Sequence, residues 1–480
     1  MVGLNVTATL DTVFTHEGAV AAAHDSAREQ LLRSVASTLL WEPQYYESGD
    51  QIAARIVQLV HEVKDHDVAD VAITARTRLK LRQVPLLVTA ALAWKHRHGH
   101  PPARLVEDTI AEVVRRPDQA AEFLGMYWTL NGRDFKAGGK PSPKKLSAQV
   151  KKGLARAFAR WSEYNLAKWD EGDKTIKTRD VLFLSHAKPQ NTAQAALWKR
   201  LANDTLETPD TWEVALSRGD DKRATWERLI REHKLGYIAL LMNLRNALQV
   251  GVDEALLREA ILHGARGSQA LPFRFISAAR AAPSLERTLG EALELAARDY
   301  RKLPGRTGLV IDVSGSMRGS LGHRTKLNRI DAAGALAVTA RALCESVAIY
   351  ATAGNDSSRV HQTRQLPDRA GLGLIDALQI AGGELGGGGI FLTQAMQYIG
   401  EHETRPFDRV LVFTDEQDCD TDQAKAPKFA RKLGQRNYIM NLASNERGIA
   451  TDGGWERVSG FSDGVLSWIS FEETGEVLAG

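Results

Sequence analysis

Thr307-Gly308-Leu309-Val310-Ile311-Asp312-Val313-Ser314-Gly315-Ser316-Met317 is an apolar run that ends in an acid and then sets hydroxyls at alternate positions. Alternating side chains of an extended segment point the same way, so Asp312, Ser314 and Ser316 can converge above a sheet edge. Carboxylate and hydroxyl oxygens without Cys or His suit a hard divalent cation such as Mg2+. A second run, Arg409-Val410-Leu411-Val412-Phe413-Thr414-Asp415, again ends in a carboxylate at a strand tip. In an open parallel sheet, ligands gather at the carboxyl ends of the strands, where both aspartates fall. The competing reading is a pair of ordinary strand-ending aspartates that cap helices.

Outward from this run the pattern alternates as in a doubly wound α/β domain. Strands are expected over 307–313, 346–352, 408–414 and 436–442, and helices over 328–345, 372–380, 392–402 and 424–433. The switch falls near Leu303-Pro304-Gly305, which divides the chain into 1–304 and 305–480. From about residue 24 to 300 the apolar spacing is helical nearly throughout, as in Ala27 to Leu40 and Ile52 to Val63. Breaks at Pro43, Gly49-Asp50, Asp65-His66-Asp67, Gly99 to Pro102, Pro117-Asp118, Pro209 and Gly251 punctuate it. Such a succession fits the stacked pairs of an α-solenoid; no clean repeat period is present, and a compact irregular helical domain stays open. Gly132, Gly138-Gly139, Pro141 and Pro143 amid lysines mark a flexible basic loop over 131–148.

Composition narrows the function. At 480 residues, two or three domains are expected. There is no N-terminal apolar h-region and no run of eighteen apolar residues, which points to a soluble cytoplasmic protein without a membrane partner. Cys344 and Cys419, the two cysteines, fit a reducing compartment as a buried small hydrophobe and a loop thiol. Residues 1–304 hold 44 Lys plus Arg against 37 Asp plus Glu, a net of +7; residues 305–480 hold 18 against 22, a net of −4. Residues 131–200 alone hold 16 basic and 6 acidic residues, a net of +10, interleaved with Trp161, Tyr164 and Trp169. That is the footprint of a nucleic-acid or other polyanion contact, and equally of a solvated basic face.

The strand-tip acids resemble the metal-ion-dependent adhesion site of von Willebrand factor A domains: Asp-x-Ser-x-Ser, then a Thr in a Gly-rich loop, then Thr-Asp after a later strand. Asp312, Ser314, Ser316 and Asp415 match it directly. In Gly386-Gly387-Gly388-Gly389-Ile390-Phe391-Leu392-Thr393, Ile390 stands where the Thr belongs and Thr393 follows three residues late. The metal site is therefore weak, rebuilt around Thr393, or empty.

The helical half carries a second resemblance. Leu184-Ser185-His186-Ala187-Lys188-Pro189, Leu240-Leu241-Met242-Asn243-Leu244-Arg245-Asn246 and Leu271-Pro272-Phe273-Arg274-Phe275 look like phrases of the TROVE module of the 60-kDa Ro autoantigen family, as does Phe14-Thr15-His16-Glu17-Gly18. A TROVE half followed by an A-domain half is that family's architecture. The resemblance implies a HEAT-like α-solenoid ring closed by a doubly wound von Willebrand factor A domain, a non-catalytic scaffold acting as a monomer. It implies small structured Y-like non-coding RNA on the outer face, single-stranded 3′ ends of misfolded RNAs in a central cavity, and an exoribonuclease as partner in RNA quality control. A bacterial source fits the Ala/Arg-rich composition.

Two positions match family residues tied to Y RNA: His186 without a gap, and Lys168 if one residue is inserted before Asp180. Lys144, Lys145, Lys151, Lys152, Arg156 and Lys174 would supply phosphate contacts on chemical grounds alone. Arg245 and Arg274 lie among apolar residues and read as structural, held in ion pairs or helix caps. Lys95-His96-Arg97-His98-Gly99-His100 reads as a solvated helix end, and Asp418, Asp420 and Asp422 as a solvated acidic loop without the Gly and Glu of an EF-hand. The glycine run lacks the Lys-Ser/Thr of a P-loop. A nuclease built on Asp312 and Asp415 lacks a general base or second-metal ligand. The rival function is a metal-dependent, adhesion-type protein-interaction module carried on a helical scaffold.

Overall fold

The structure is a computed structural model and describes residues 13–14, 20–22, 27–37, 49–77, 81–97, 102–132, 146–169, 175–268, 270, 272–298, 302–320, 327–369, 371–415, 417–419, 433–442, 448–449, 455–459, 469 and 473. The chain forms two compact units. One takes Ser26–Pro43, Glu47–Asp299 and Ser462–Gly480; the other takes Met1–Asp25, Gln44–Tyr46 and Tyr300–Phe461.

The first unit is helical. Helix Gly49–Glu62 packs on Val84–Lys95, Asp65–Thr77 on Leu105–Val113, Val84–Lys95 on Pro117–Leu130, and Leu105–Val113 on Ala148–Phe158. In this stretch each helix meets the one two places further on, which is how helix pairs stack in a solenoid. The same step recurs where Tyr237–Gln249 meets Pro272–Ala281 and Glu254–Ala265 meets Glu286–Arg298. Caps set the helix starts: the Ser147 hydroxyl accepts from the Val150 N–H, and Asn191, Asp221 and Asp253 do the same for their helices. Helix Val84–Lys95 is buried on all sides from Val84 to Ala93, which explains why its sequence is apolar rather than amphipathic. Gly153 marks the closest helix approach: a Cβ there would lie 2.7 Å from Ile110 Cβ and 2.9 Å from the Glu107 carbonyl oxygen.

The second unit is a six-stranded sheet with helices. Among the described residues the strands are β1 (Val13–Phe14), β2 (Val20–Ala22), β3 (Leu303–Asp312), β4 (Cys344–Asn355), β5 (Val360–Leu366), β6 (Phe407–Thr414), β7 (Gly434–Asn441), β8 (Gly448–Ile449) and β9 (Trp455–Ser459). The main sheet runs β5-β4-β3-β6-β7-β9, with only β5 antiparallel to its neighbour. β3 and β6 lie at the centre and are buried on both faces, as unbroken apolar runs in parallel strands should be. Their registers align Ile311 with Phe413, which brings the ends of the two strands, and so Asp312 and Asp415, to one edge.

The structure differs from the sequence reading in two places. Helix Arg329–Leu343 stops short of 345 because Cys344 is already extended and begins β4. Strands β5 and β9 were not expected, and a separate sheet β1-β2-β8 pairs Ala21 with Ile449. The helix expected over 424–433 lies outside the described residues except for Leu433, and residues 133–145 of the basic loop also lie outside them. No helix among the described residues is long and apolar enough to cross a membrane.

Candidate functional site

At the tips of β3 and β6 the expected residues come together. The Ser314 N–H donates to Asp312 Oδ1 at 2.8 Å, and the Thr414 hydroxyl donates to Asp312 Oδ2 at 2.7 Å. The Ser314 and Ser316 hydroxyls lie 3.2 Å apart; the first also bonds Asp312 and the second bonds Asp415. Asp312 and Asp415 are fully buried and Ser314 is 1% exposed. Burial raises the Asp312 carboxyl above the usual carboxylate range, and the Asp415 charge raises it further. Burial also raises Asp415, against the pull of the Arg329 guanidinium and the Ser316 hydroxyl.

Arg329 is the residue that sequence reasoning missed. Arg329 is 3% exposed, and its guanidinium donates to Asp415 Oδ2 at 2.6 Å, with the Ser316 carbonyl 3.4 Å away. It opens helix Arg329–Leu343 behind the Asn328 cap, a position whose only signal in the sequence is the cap itself. Thr414 was visible as the Thr of a Thr-Asp pair. Gln417, two residues past Asp415, is 5% exposed and its Oε1 has no partner.

The Gly-rich loop packs directly on this cluster. The Gly315 N–H donates to the Gly388 carbonyl at 3.2 Å, and a Cβ on Gly315 would lie 2.5 Å from the Gly387 oxygen. Gly386 and Gly387 take φ of 86° and 65°, which side chains rarely adopt. Ile390 is fully buried against Val412 and Ile439 and supplies no oxygen. Thr393 is half-buried in the first turn of helix Leu392–His402, and among the described residues no hydrogen bond joins it to the cluster. Asp418 corrects the sequence reading: it is buried, accepting from the Leu392 N–H at 3.2 Å, while the loop thiol Cys419 is buried beside it, its N–H donating to the Ile390 carbonyl at 2.7 Å. Asp420 and Asp422 lie outside the described residues.

Among the described residues no three His, Cys, Asp or Glu side chains gather as a metal ligand set. A cation here would rely on the hydroxyls. Two mutually repelling buried carboxylates and two adjacent hydroxyls do fit a hard divalent ion.

In the helical unit the described arginines of the basic segment are occupied, Arg160 by the carbonyls of Ala111 and Val114. Arg156 is held by Glu107 and Asp108, Arg179 by Asp204, and Arg200 by Glu163. Lys151, Lys152, Lys188 and Lys199 make no ion pair among the described residues. Lys168 ends helix Glu163–Trp169, with its ammonium 5.7 Å from the Tyr164 ring and 5.6 Å from the Trp169 ring. It lines a groove of about 470 Å³ together with Asp204, Glu207 and Glu213. His186 is exposed and left-handed, with φ 52°, at the end of helix Thr178–Ser185. The helices carrying Lys168 and His186 both pack on Pro117–Leu130. Arg245, expected in an ion pair or cap, is exposed on helix Tyr237–Gln249 beside the exposed Met242, whereas Arg274 is partly buried. Lys144, Lys145 and Lys174 lie outside the described residues.

Stacked helix pairs, together with a doubly wound sheet whose tips gather acids and hydroxyls, define a helical-repeat protein joined to an A-type α/β domain. The TROVE domain family model matches residues 199–381. The chain shares its fold with the Ro (RSR) protein of Deinococcus radiodurans at a TM-score of 0.58 and 19% identity, covering 94% of this chain and 100% of that one. It is similar to telomerase protein component 1 of Mus musculus, 36% identical over 93 residues, and of Rattus norvegicus, 34% identical over 93 residues. The match takes 18% of this chain and 3% of those much longer relatives.

Proposed function

We propose that the chain is an RNA-binding scaffold of the Ro type. The observation that carries this reading is the division of labour in its basic segment: carboxylates hold Arg156, Arg179 and Arg200, while Lys151, Lys152, Lys188 and Lys199 are left for phosphates. The exposed His186 adds a ring on a backbone strained for a side-chain-bearing residue, the kind of outlier that points to a role in binding. Small structured Y-like RNA would be gripped by these groups, with Lys168 beside the Tyr164 and Trp169 rings on which a base could stack. Lys144, Lys145 and Lys174 would add phosphate contacts. Arg156 contributes less in this scheme, since a phosphate must displace two carboxylates to reach it. Single-stranded 3′ ends of misfolded RNA would enter a central cavity for handing to an exoribonuclease, with a cytoplasmic monomer as the working form. Residues 1–304 would form the RNA-binding domain and 305–480 the A-like domain.

The test is RNA retention by the full chain. A small stem-containing RNA should bind the wild type, and Lys168→Glu with His186→Ser should weaken it about tenfold or more, roughly the loss of 1.4 kcal/mol. Undiminished binding by that variant sinks the assignment of these residues, and no RNA bound by the wild type sinks the function.

A second reading is favoured by the strand-tip cluster. Asp312, Ser314, Ser316 and Asp415, with Thr393 if its loop rearranges, would hold Mg2+, whose open position takes a carboxylate of a partner protein. Loss of partner binding in EDTA and in Asp312→Ala supports it; equal binding in EDTA counts against it.

A further inference from the structure

We propose that Arg329 is a tethered cation that competes with a free divalent ion for Asp415, so that metal enters the strand-tip site only when the guanidinium is displaced. The inference concerns the α/β unit and stands whether or not the chain binds RNA.

Geometry puts the guanidinium where metal chemistry would act. Arg329 Nη1 lies 2.6 Å from Asp415 Oδ2, both groups are buried, and the Ser316 hydroxyl bonds the same carboxylate. Arg329 is not a surface side chain that has fallen inward. The Asn328 cap fixes its backbone at the first position of helix Arg329–Leu343, and its N–H donates to the Gly319 carbonyl at 3.1 Å. A Cβ on Gly319 would lie 3.8 Å from the guanidinium carbon, so Gly319 packs against the charged group.

Charge balance sets the competition. Two ionised carboxylates match one divalent ion; with the guanidinium also present, a buried cluster would carry surplus positive charge, which a site of low dielectric tolerates poorly. The free ion also starts with a handicap, because Ile390 points its apolar side chain into the core and gives no oxygen. Displacing the guanidinium releases its contact with the Ser316 carbonyl, so metal entry should loosen the turn Gly315–Arg318.

Mn2+ binding to the full-length protein, read from the electron paramagnetic resonance of the free ion, tests this. Arg329→Gln removes the charge and keeps a hydrogen-bond donor. It should bind Mn2+ about tenfold or more tightly than the wild type, and Asp312→Asn added to it should abolish the gain. Equal Mn2+ affinity in the wild type and Arg329→Gln overturns the proposal, as does a gain that survives Asp312→Asn. Should Arg329→Gln not fold, hydrogen exchange of the wild type with and without Mg2+ decides. Faster exchange over 315–320 at saturating Mg2+ supports the tethered cation; saturation without any change in that segment, or no Mg2+ binding at all, overturns it.

Discussion

Asp65 shows how charge and burial oppose each other at a single residue. Burial alone would raise its carboxyl, but the Lys95 ammonium at 2.9 Å, with His96 beside it, holds the group below the usual carboxylate range. Lys95 also donates to the carbonyls of Val60 and Val63, so the pair ties the end of one helix to the start of the next. A depressed carboxylate stabilises the fold above its unfolded pKa of about 3.9 and loses that contribution as pH falls through and below it. Asp65→Asn should therefore cost about 1 kcal/mol at pH 7, as a partly exposed charged hydrogen bond would. The difference should shrink toward zero near pH 3 in urea unfolding; a gap that stays constant across that range would refute the assignment. At this scale the sequence was readable where geometry repeats. Asp312, Ser314, Ser316 and Asp415 met as their spacing implied, because strand alternation and strand order are generic. Arg329, Asp418 and the exposed Arg245 were not readable, since a long or polar side chain is placed by its neighbours rather than by its own position in the pattern.

Among the elements, helix Ala148–Phe158 depends on a glycine where most helices prefer alanine. Gly153→Ala gains about 1 kcal/mol of helix propensity, yet its methyl would press on Ile110 Cβ and the Glu107 carbonyl, both fixed in the neighbouring helix. Overpacking costs about 1–3 kcal/mol, so the variant should be destabilised by up to about 2 kcal/mol. Chemical denaturation measures this, and a stabilised variant would show that the two helices can part without cost. Strands β3 and β6 were legible because both faces are buried and the sequence is continuously apolar. β5 was not: Val360 to Gln365 are polar or exposed, as a one-sided edge strand allows, so the segment reads as a loop. The short pairs of β1, β2 and β8 have too few residues for any period to show.

Over the whole molecule, charge and connectivity have separate consequences. If lysines without carboxylate partners carry the RNA contact, affinity must fall steeply with salt, with a logarithmic slope of about −0.7 per phosphate engaged by single strands. Removing Lys151 and Lys152 together should flatten that slope by about one to two units in a fluorescence-anisotropy titration; an unchanged slope would place the RNA elsewhere on the chain. The other consequence follows from the small sheet, in which Ala21 sits opposite Ile449. Every helix of the solenoid lies between these partners in the chain, so β1 and β2 leave the ribosome long before β8 exists to receive them. During synthesis the helices between Glu47 and Asp299 can pack on local contacts as they emerge, whereas the α/β unit has its opening strands waiting on a late arrival. Translation is thus written into the topology as a timer: the strand-tip site can reach its final packing only after the helices upstream of it are already made.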